Sequence, residues 1–361
     1  MSEYSSHLIK FLQTEISTHG PMGVDRFMGH VLGHPEYGYY MTRDPLGRAG
    51  DFTTAPEISQ MFGEMIGAWL ANMWMQHGKP ASFILLEMGP GRGTLMADII
   101  RVCGQVPGFM DAAQVHLVEM SPVLKDAQRN ALNGVNITWH DTLDTLPCHD
   151  PVFFIANEFF DALPFKQYIY SDGGWAERCV DIECEGFVFT QQMVMVDPLS
   201  DKGFPAPKDG DVYEDAFIRD DVMRALCKRI RGQAGAGLII DYGHLEHGFG
   251  DTFQAVKAHE YSNPLNNIGE SDLTSHVDFA ALQVAALQQD VQVLGLAEQG
   301  AFLKALGIQL RARQLLQKAS GETAQNIQKA LHRLVHSDEM GALFKVIGLN
   351  YGASVAAAGF R

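Results

Sequence analysis

The sequence predicts an α/β fold on a mostly parallel central sheet, and two observations carry that prediction. The first is residues 83–93, F-I-L-L-E-M-G-P-G-R-G, an apolar run that ends in a turn with glycines at alternate positions. Apolar residues at 83–86 and 88 around Glu87 suit a strand covered on both faces. Thr94–Arg101 follows with apolar residues at 95, 96, 99 and 100, one helical face, and Thr94 is placed to cap its start. Strand, glycine turn and helix form a mononucleotide-binding unit, in which Gly89, Gly91 and Gly93 let the backbone bend and approach a ligand. The second observation is recurrence. Further apolar runs at 115–119, 135–139, 151–156, 236–243, 291–296 and 344–349, separated by helical or looped stretches, bring the main sheet to seven strands.

The spacing of the turn narrows the ligand. A dinucleotide fingerprint needs a third glycine at 94, where the chain has Thr, so a nicotinamide-dependent dehydrogenase is disfavoured. The pattern present is E-x-G-x-G-x-G. An acid at Glu87 suits S-adenosylmethionine, which carries no phosphate and brings a sulfonium and an ammonium cation. Glu119, 26 residues past Gly93 at the end of the second strand, stands where such folds accept ribose hydroxyls. Asp141, after the third strand, is placed to accept an adenine amino group, and an ordinary solvated loop Asp is the competing reading.

Composition excludes several classes. A net charge of −16 argues against a general nucleic-acid or anionic-membrane surface. Five cysteines without a C-x-x-C pair indicate neither a disulfide framework nor a zinc site, and a reducing cytoplasm fits. No targeting signal and no segment of membrane-spanning length is read.

Taken in order, residues 5–33 form two helices broken at Gly20-Pro21, part of an N-terminal extension that runs to about residue 80. The polar stretch 43–51 and the following F-T-T-A-P-E-I-S-Q are expected to close over a ligand, through Thr53, Thr54, Glu57, Ser59 and Gln60, with Pro56 opening a helix that continues to Trp74. Equally, Thr54 and Glu57 form a plain capping box. Residues 122–132 are a helix. An insertion at about 165–212 holds a meander of strands, then a surface loop over 197–212, before a helix at 220–232. A second insertion, about 244–290, opens with an aperiodic stretch to residue 276, expected as a lid or substrate segment. Its histidines at 244, 247, 259 and 276 have no tight ligand spacing, so no metal is expected. Helices at 302–316 and 324–335 precede the last strand.

The chemistry concentrates where the fourth strand ends, in N-E-F-F-D-A-L-P at 157–164. Asn157, Glu158 and Asp161 bring an amide and two acids together with Phe159 and Phe160. Acids beside aromatic faces suit a cation, and a guanidinium fork matches carboxylates best. The competing reading makes the two acids caps of a following helix and the two rings core.

With E-M-G-P-G-R-G at 87–93, V-E-M-S-P at 118–122 and A-N-E-F-F-D-A-L-P at 156–164, the chain resembles the MidA family, which includes the mitochondrial complex I assembly factor regarded as a protein arginine methyltransferase. G-D-F-T-T-A-P-E-I-S-Q-M-F-G-E at 50–64, D-Y-G-H at 241–244, G-D-T-F-Q-A-V at 250–256, G-E-S-D-L-T-S-H-V-D-F at 269–279 and M-G-A-L-F-K-V at 340–346 extend the resemblance over nearly the whole chain. It implies a class I S-adenosylmethionine-dependent methyltransferase fold, Rossmann-like, whose N-terminal and inserted segments build a substrate cleft. Gly89, Gly91, Gly93 and Glu119 would contact the cofactor, and Glu158 and Asp161 would face the substrate. Enzymes acting on neutral nitrogens commonly carry [D/N]-P-P-[Y/F] at this place; here Glu158 and Phe159 replace both prolines, which favours a cationic nucleophile.

The expected activity is N-methylation of a protein side chain, foremost arginine, linked to respiratory complex assembly through the family. Glu158 and Asp161 are the expected catalytic residues; Glu87, Gly89, Gly91, Gly93, Glu119, Asp141, Asn157 and Thr54 the cofactor-binding ones. A methyltransferase for neutral amides or small molecules and a cofactor-binding assembly chaperone are the alternatives. The apolar helix 61–75 suggests a homodimer, and burial in the chain's own core explains it as well.

Overall fold

The computed structural model describes residues 2–44, 54–184, 186–199 and 202–360. The chain divides into two compact units, each built from separated segments. Thr53 and most of the stretch 43–51 expected to cover a ligand lie outside the described residues.

One unit takes the described residues within Thr53–Phe160, Met223–Leu245 and Val277–Arg361. Its main sheet is formed by β1 (Phe83–Met88), β2 (Ala113–Val118), β3 (Ile137–His140), β4 (Val152–Asn157), β5 (Gly235–His244), β6 (Gln292–Glu298) and β7 (Phe344–Tyr351). Their order is β3-β2-β1-β4-β5-β7-β6. β1 to β5 are mutually parallel, while β7 runs antiparallel to both β5 and β6. The seven strands inferred from apolar runs are all present, and a two-residue strand, Val277–Asp278, adds to β5 as an eighth.

All six residues of β1 and of β4 are buried, as central parallel strands covered by helices on both faces require. Helix Gln60–Gln76 buries Phe62, Ile66, Trp69, Leu70, Met73 and Trp74 in the core of this unit. Its apolarity is therefore accounted for within the chain, which removes the reason for expecting a homodimer. Pro56 does not open this helix. A single turn, Ala55–Ile58, ends at Ser59 in extended conformation, and Ser59 caps the longer helix through its side chain and the Met61 N–H. Thr94 does not cap its helix either, because Gly93, left-handed, occupies the N-cap position of Thr94–Cys103.

The second unit takes the described residues within Met1–Phe52, Asp161–Val222 and Glu246–His276. Residues 2–44 of the N-terminal extension thus group with the first insertion and with 246–276 of the second, while residues 54–80 and 277–290 group with the sheet. Helices Glu3–His19 and Val24–Gly33 pack Leu8, Leu12, Ile16, Phe27, Met28 and Val31 with Phe165, Phe253 and Leu273. Strands Lys166–Ser171, Gly174–Glu183 and Gly186–Met193 form the expected meander. The stretch 197–212, expected as a surface loop, ends at a strand that the sequence reading missed, Val212–Asp215, paired antiparallel with Lys166–Ser171. The aperiodic stretch 244–276 contains a small sheet, Gln254–Lys257 between Glu260–Ser262 and Asp272–Thr274.

No helix among the described residues is long and apolar enough to cross a membrane.

Candidate functional site

The unit that holds the main sheet gathers most of the residues expected at a cofactor. The turn after β1 has Gly89, Gly91 and Gly93 all at positive φ, 59°, 54° and 84°. At Gly89 a side chain meets an obstacle as well, since a Cβ would stand 2.7 Å from Cδ2 of Phe159. Glu87 is the last residue but one of β1 at 2 % exposure and Glu119 follows β2 at 9 %.

Glu119 is anchored on both oxygens: Oε1 accepts from the Ser121 N–H at 2.8 Å and Oε2 from Nε2 of Gln128 at 3.1 Å. Gln128 also donates to the Gly91 carbonyl at 2.7 Å and accepts from the Trp139 indole at 2.8 Å. One fully buried amide thus ties the glycine turn to the acid after β2. Sequence reading missed Gln128, although a signal was there: it is a polar residue on the i, i+4 stripe of Leu124 and Leu132, where burial demands a polar partner.

Burial pushes the Glu87 carboxyl well above the usual carboxylate range, the charge of Glu119 adds to the rise, and the Met96 N–H opposes it. Burial likewise raises Glu119, against the hydrogen bonds from Ser121 and Gln128.

At the end of β4, Asn157 is buried, and its Nδ2 donates to Oε1 of Glu158 at 3.1 Å. The same oxygen accepts from the Ala55 N–H at 3.0 Å. Glu158 has a left-handed backbone, φ 51°, in a region that costs a glutamate conformational energy. Its N–H donates to the Ile240 carbonyl, and the next two N–H groups, of Phe159 and Phe160, both donate to Oδ2 of Asp241 at 3.1 and 2.9 Å. No helix starts here, so the reading of Glu158 as a helix cap fails; Phe160 is core and Phe159 is half-buried.

Thr54 sits at the N-cap of Ala55–Ile58, but its side chain makes no cap hydrogen bond. Glu57 does not complete a capping box. Its Oε1 accepts from the Thr94 hydroxyl at 2.5 Å, which fastens this short helix beside the glycine turn. Asp141 is exposed and paired with Lys125 at 2.6 Å; the ammonium hydrogen bond holds its carboxyl below the usual range. The structure brings Glu87, the three glycines, Glu119 and Asn157 to the C-terminal ends of β1, β2 and β4, whereas Asp141 lies at the surface as an ion-pair partner.

Asp161 belongs to the other unit. It is buried, and its carbonyl accepts from Nη2 of Arg219 at 3.1 Å and from the Ser275 N–H at 3.2 Å. Arg219, 2 % exposed, also reaches the His276 carbonyl and the Ser275 hydroxyl, and stacks over Phe165. In the same unit the Tyr40 hydroxyl donates to both oxygens of Asp272, and burial, with the charges of Asp272 and Asp161, drives that phenol well above its usual range. Neither Arg219 nor Tyr40 was singled out from sequence. Among the described residues no group of three or more His, Cys, Asp or Glu is arranged to hold a metal ion.

Two acceptors test whether the main-sheet site fits S-adenosylmethionine. Glu87 Oε2 and Asn157 Oδ1 are buried with no hydrogen-bond partner. Both stand at the C-terminal ends of adjacent parallel strands, where the register pairs Met88 with Ala156. Buried acceptors without donors are rare, and a ligand carrying an ammonium and a sulfonium supplies the donors and the positive charge they lack. The residues fit the group: Glu87, Asn157 and Glu119 would hold it, across a turn that a Cβ at Gly89 would fill.

Comparison with known proteins agrees with this geometry. Residues 65–297 match the family model described as "Putative S-adenosyl-L-methionine-dependent methyltransferase". The chain is 33% identical to the mitochondrial protein arginine methyltransferase NDUFAF7 of Danio rerio, over 98% of this chain and 89% of that protein. It is 34% identical to the Homo sapiens protein of the same name, over 95% of this chain and 83% of that one. A crystal structure of a Burkholderia thailandensis protein bound to S-adenosyl-homocysteine superposes with a TM-score of 0.87 at 26% identity, covering 99% of this chain and 95% of that chain. The glycine turn, the anchored Glu119, the strand order and these matches together place the chain in the MidA-like family of S-adenosyl-L-methionine-dependent methyltransferases, with a class I fold.

Proposed function

We propose that this methyltransferase transfers its methyl group to a protein arginine side chain. The observation that carries the reading is the Asn157-Glu158 corner: an acid, not a proline, occupies the turn after β4, its backbone is left-handed, and its carboxylate is oriented by the Asn157 amide and the Ala55 N–H. A carboxylate held there at conformational cost suits a cationic nucleophile, whose charge and paired N–H donors it matches. The NDUFAF7 relatives, named protein arginine methyltransferases, support the same substrate class.

Bound S-adenosylmethionine supplies a methyl already activated on a sulfonium. The chain's task is to orient the guanidinium, exclude water and take up charge as the nitrogen loses its proton. Glu158 orients the guanidinium by charge-assisted hydrogen bonds and accepts that proton. Asp161 remains the second proposed catalytic acid; within its own unit its carbonyl accepts from Arg219 and Ser275. Thr54 and Asp141 remain proposed cofactor contacts, the second requiring exchange of its Lys125 partner. The cysteine pattern supports a reducing cytoplasmic setting, and the resemblance to the MidA family supports a link to respiratory complex assembly.

The test is Glu158→Gln. Calorimetry with S-adenosylhomocysteine should give an affinity within threefold of wild type, while labelled methyl transfer to host-lysate protein is abolished. Full transfer by the variant would falsify the assignment; cofactor binding by wild type without any labelled protein would favour the assembly-chaperone reading.

A further inference from the structure

We infer that Asp241 is a positioning residue for methyl transfer, acting through the backbone of the Glu158–Phe160 turn; the inference rests on the role proposed for Glu158. Asp241 lies within β5 with no solvent exposure. Its Oδ2 accepts from the Phe159 and Phe160 N–H groups at 3.1 and 2.9 Å, and its Oδ1 from the Tyr242 N–H at 3.0 Å. One strand residue earlier, the Ile240 carbonyl accepts from the Glu158 N–H at 2.9 Å. Three consecutive amides at the end of β4 are therefore bound by two consecutive residues of β5. A fully buried carboxylate is costly to desolvate and persists only where donors converge on it. Here two of these donors belong to the residues that follow the left-handed Glu158.

That geometry has a consequence for chemistry. A left-handed glutamate relaxes toward ordinary backbone angles unless the residues after it are held. Relaxation at residue 158 would swing its Cα–Cβ direction, and with it the carboxylate, away from the Asn157 amide. Asp241 supplies the hold through the Phe159 and Phe160 N–H groups. Sequence placed Asp241 near the end of its strand and gave it no role, since its partners lie 81 and 82 residues away.

The test is Asp241→Leu, which keeps the approximate shape but removes both acceptor oxygens, with Asp241→Glu as a second variant that keeps the charge. In protein saturated with S-adenosylhomocysteine, amide exchange at Phe159 and Phe160 should accelerate at least tenfold in Asp241→Leu, with exchange elsewhere in β4 and β5 unchanged. Affinity for S-adenosylhomocysteine should stay within threefold, while single-turnover transfer to lysate protein at saturating cofactor falls at least thirtyfold. Asp241→Glu should recover part of that loss. Unchanged exchange at 159 and 160, loss of cofactor affinity in step with transfer, or failure of both variants to fold would each overturn the inference. Wild-type transfer is the separate test of the proposed function: should wild type bind S-adenosylhomocysteine yet label nothing, that function fails, and the exchange result alone decides whether Asp241 holds the turn.

Discussion

Gly89→Ala offers the sharpest quantitative test of the glycine turn, because its cost separates into two parts. The first is conformational: φ at Gly89 is 59°, and placing an L side chain in the left-handed region costs about 1–2 kcal/mol. The second is steric. The new methyl would lie 2.7 Å from Cδ2 of Phe159, so the ring must turn out of its perpendicular contact with Phe160, whose centroid is 5.6 Å away. Losing such an aromatic pair costs about 0.5–1.5 kcal/mol. The sum is about 2–3 kcal/mol. Gly134→Ala is the control, since φ there is 85° and nothing lies within 4 Å of the added carbon, leaving only the first part. Urea unfolding in a Trp175→Phe background reports on this unit alone, because Trp69, Trp74 and Trp139 all belong to it. In a Phe159→Ala background the cost of Gly89→Ala should fall to that of Gly134→Ala, a coupling of about 1 kcal/mol. Equal cost of Gly89→Ala with and without the Phe159 ring would refute the reasoning.

Further predictions concern charge. Glu87 has a raised carboxyl, so its contribution to stability is greatest below its unfolded value and declines as pH climbs toward the folded one. Glu87→Gln should therefore stabilise the cofactor-free protein more at pH 8 than at pH 5 in thermal melts, and wild type should release a proton on binding S-adenosylmethionine, read by calorimetry in buffers of different ionisation enthalpy. Glu64, buried, accepts from Arg311 at 2.6 and 2.8 Å and from Arg101 at 3.1 Å, hydrogen bonds that outweigh burial and lower its carboxyl. Because both arginines reach solvent, Glu64→Ala should cost about 2 kcal/mol in urea unfolding, less than breaking a fully buried pair. Burial works to raise Glu270, but the bonds from Lys257 and the Ser2 N–H prevail and bring it down to about 2, so its contribution is present above pH 4.5 and lost as pH falls toward 2. Glu270→Gln should flatten that part of the acid-unfolding curve.

The residues along the chain already determined the nucleotide-binding half of the molecule. A parallel strand buried on both faces is a run of apolar residues, and a turn that must go left-handed needs glycine; both are local demands, legible at 83–93 without any partner. The acid at 119 and the N-E-F-F-D corner followed from strand ends in the same way. Local pattern failed where the partner is distant. Helix 55–76 breaks at Ser59 because Ala55 answers to Glu158 and Glu57 to Thr94, not to the apolar period of the helix. Val212–Asp215 is a strand only through its pairing with 166–171. Gln128 and Asp241 are a helix polar residue and a strand acid until folding buries them against amides and carbonyls up to 82 residues away. The grouping of the N-terminal helices with the inserted segments came through the family resemblance and not from local pattern, since the apolar faces of these helices find their mates at Phe165, Phe253 and Leu273, more than 100 residues away.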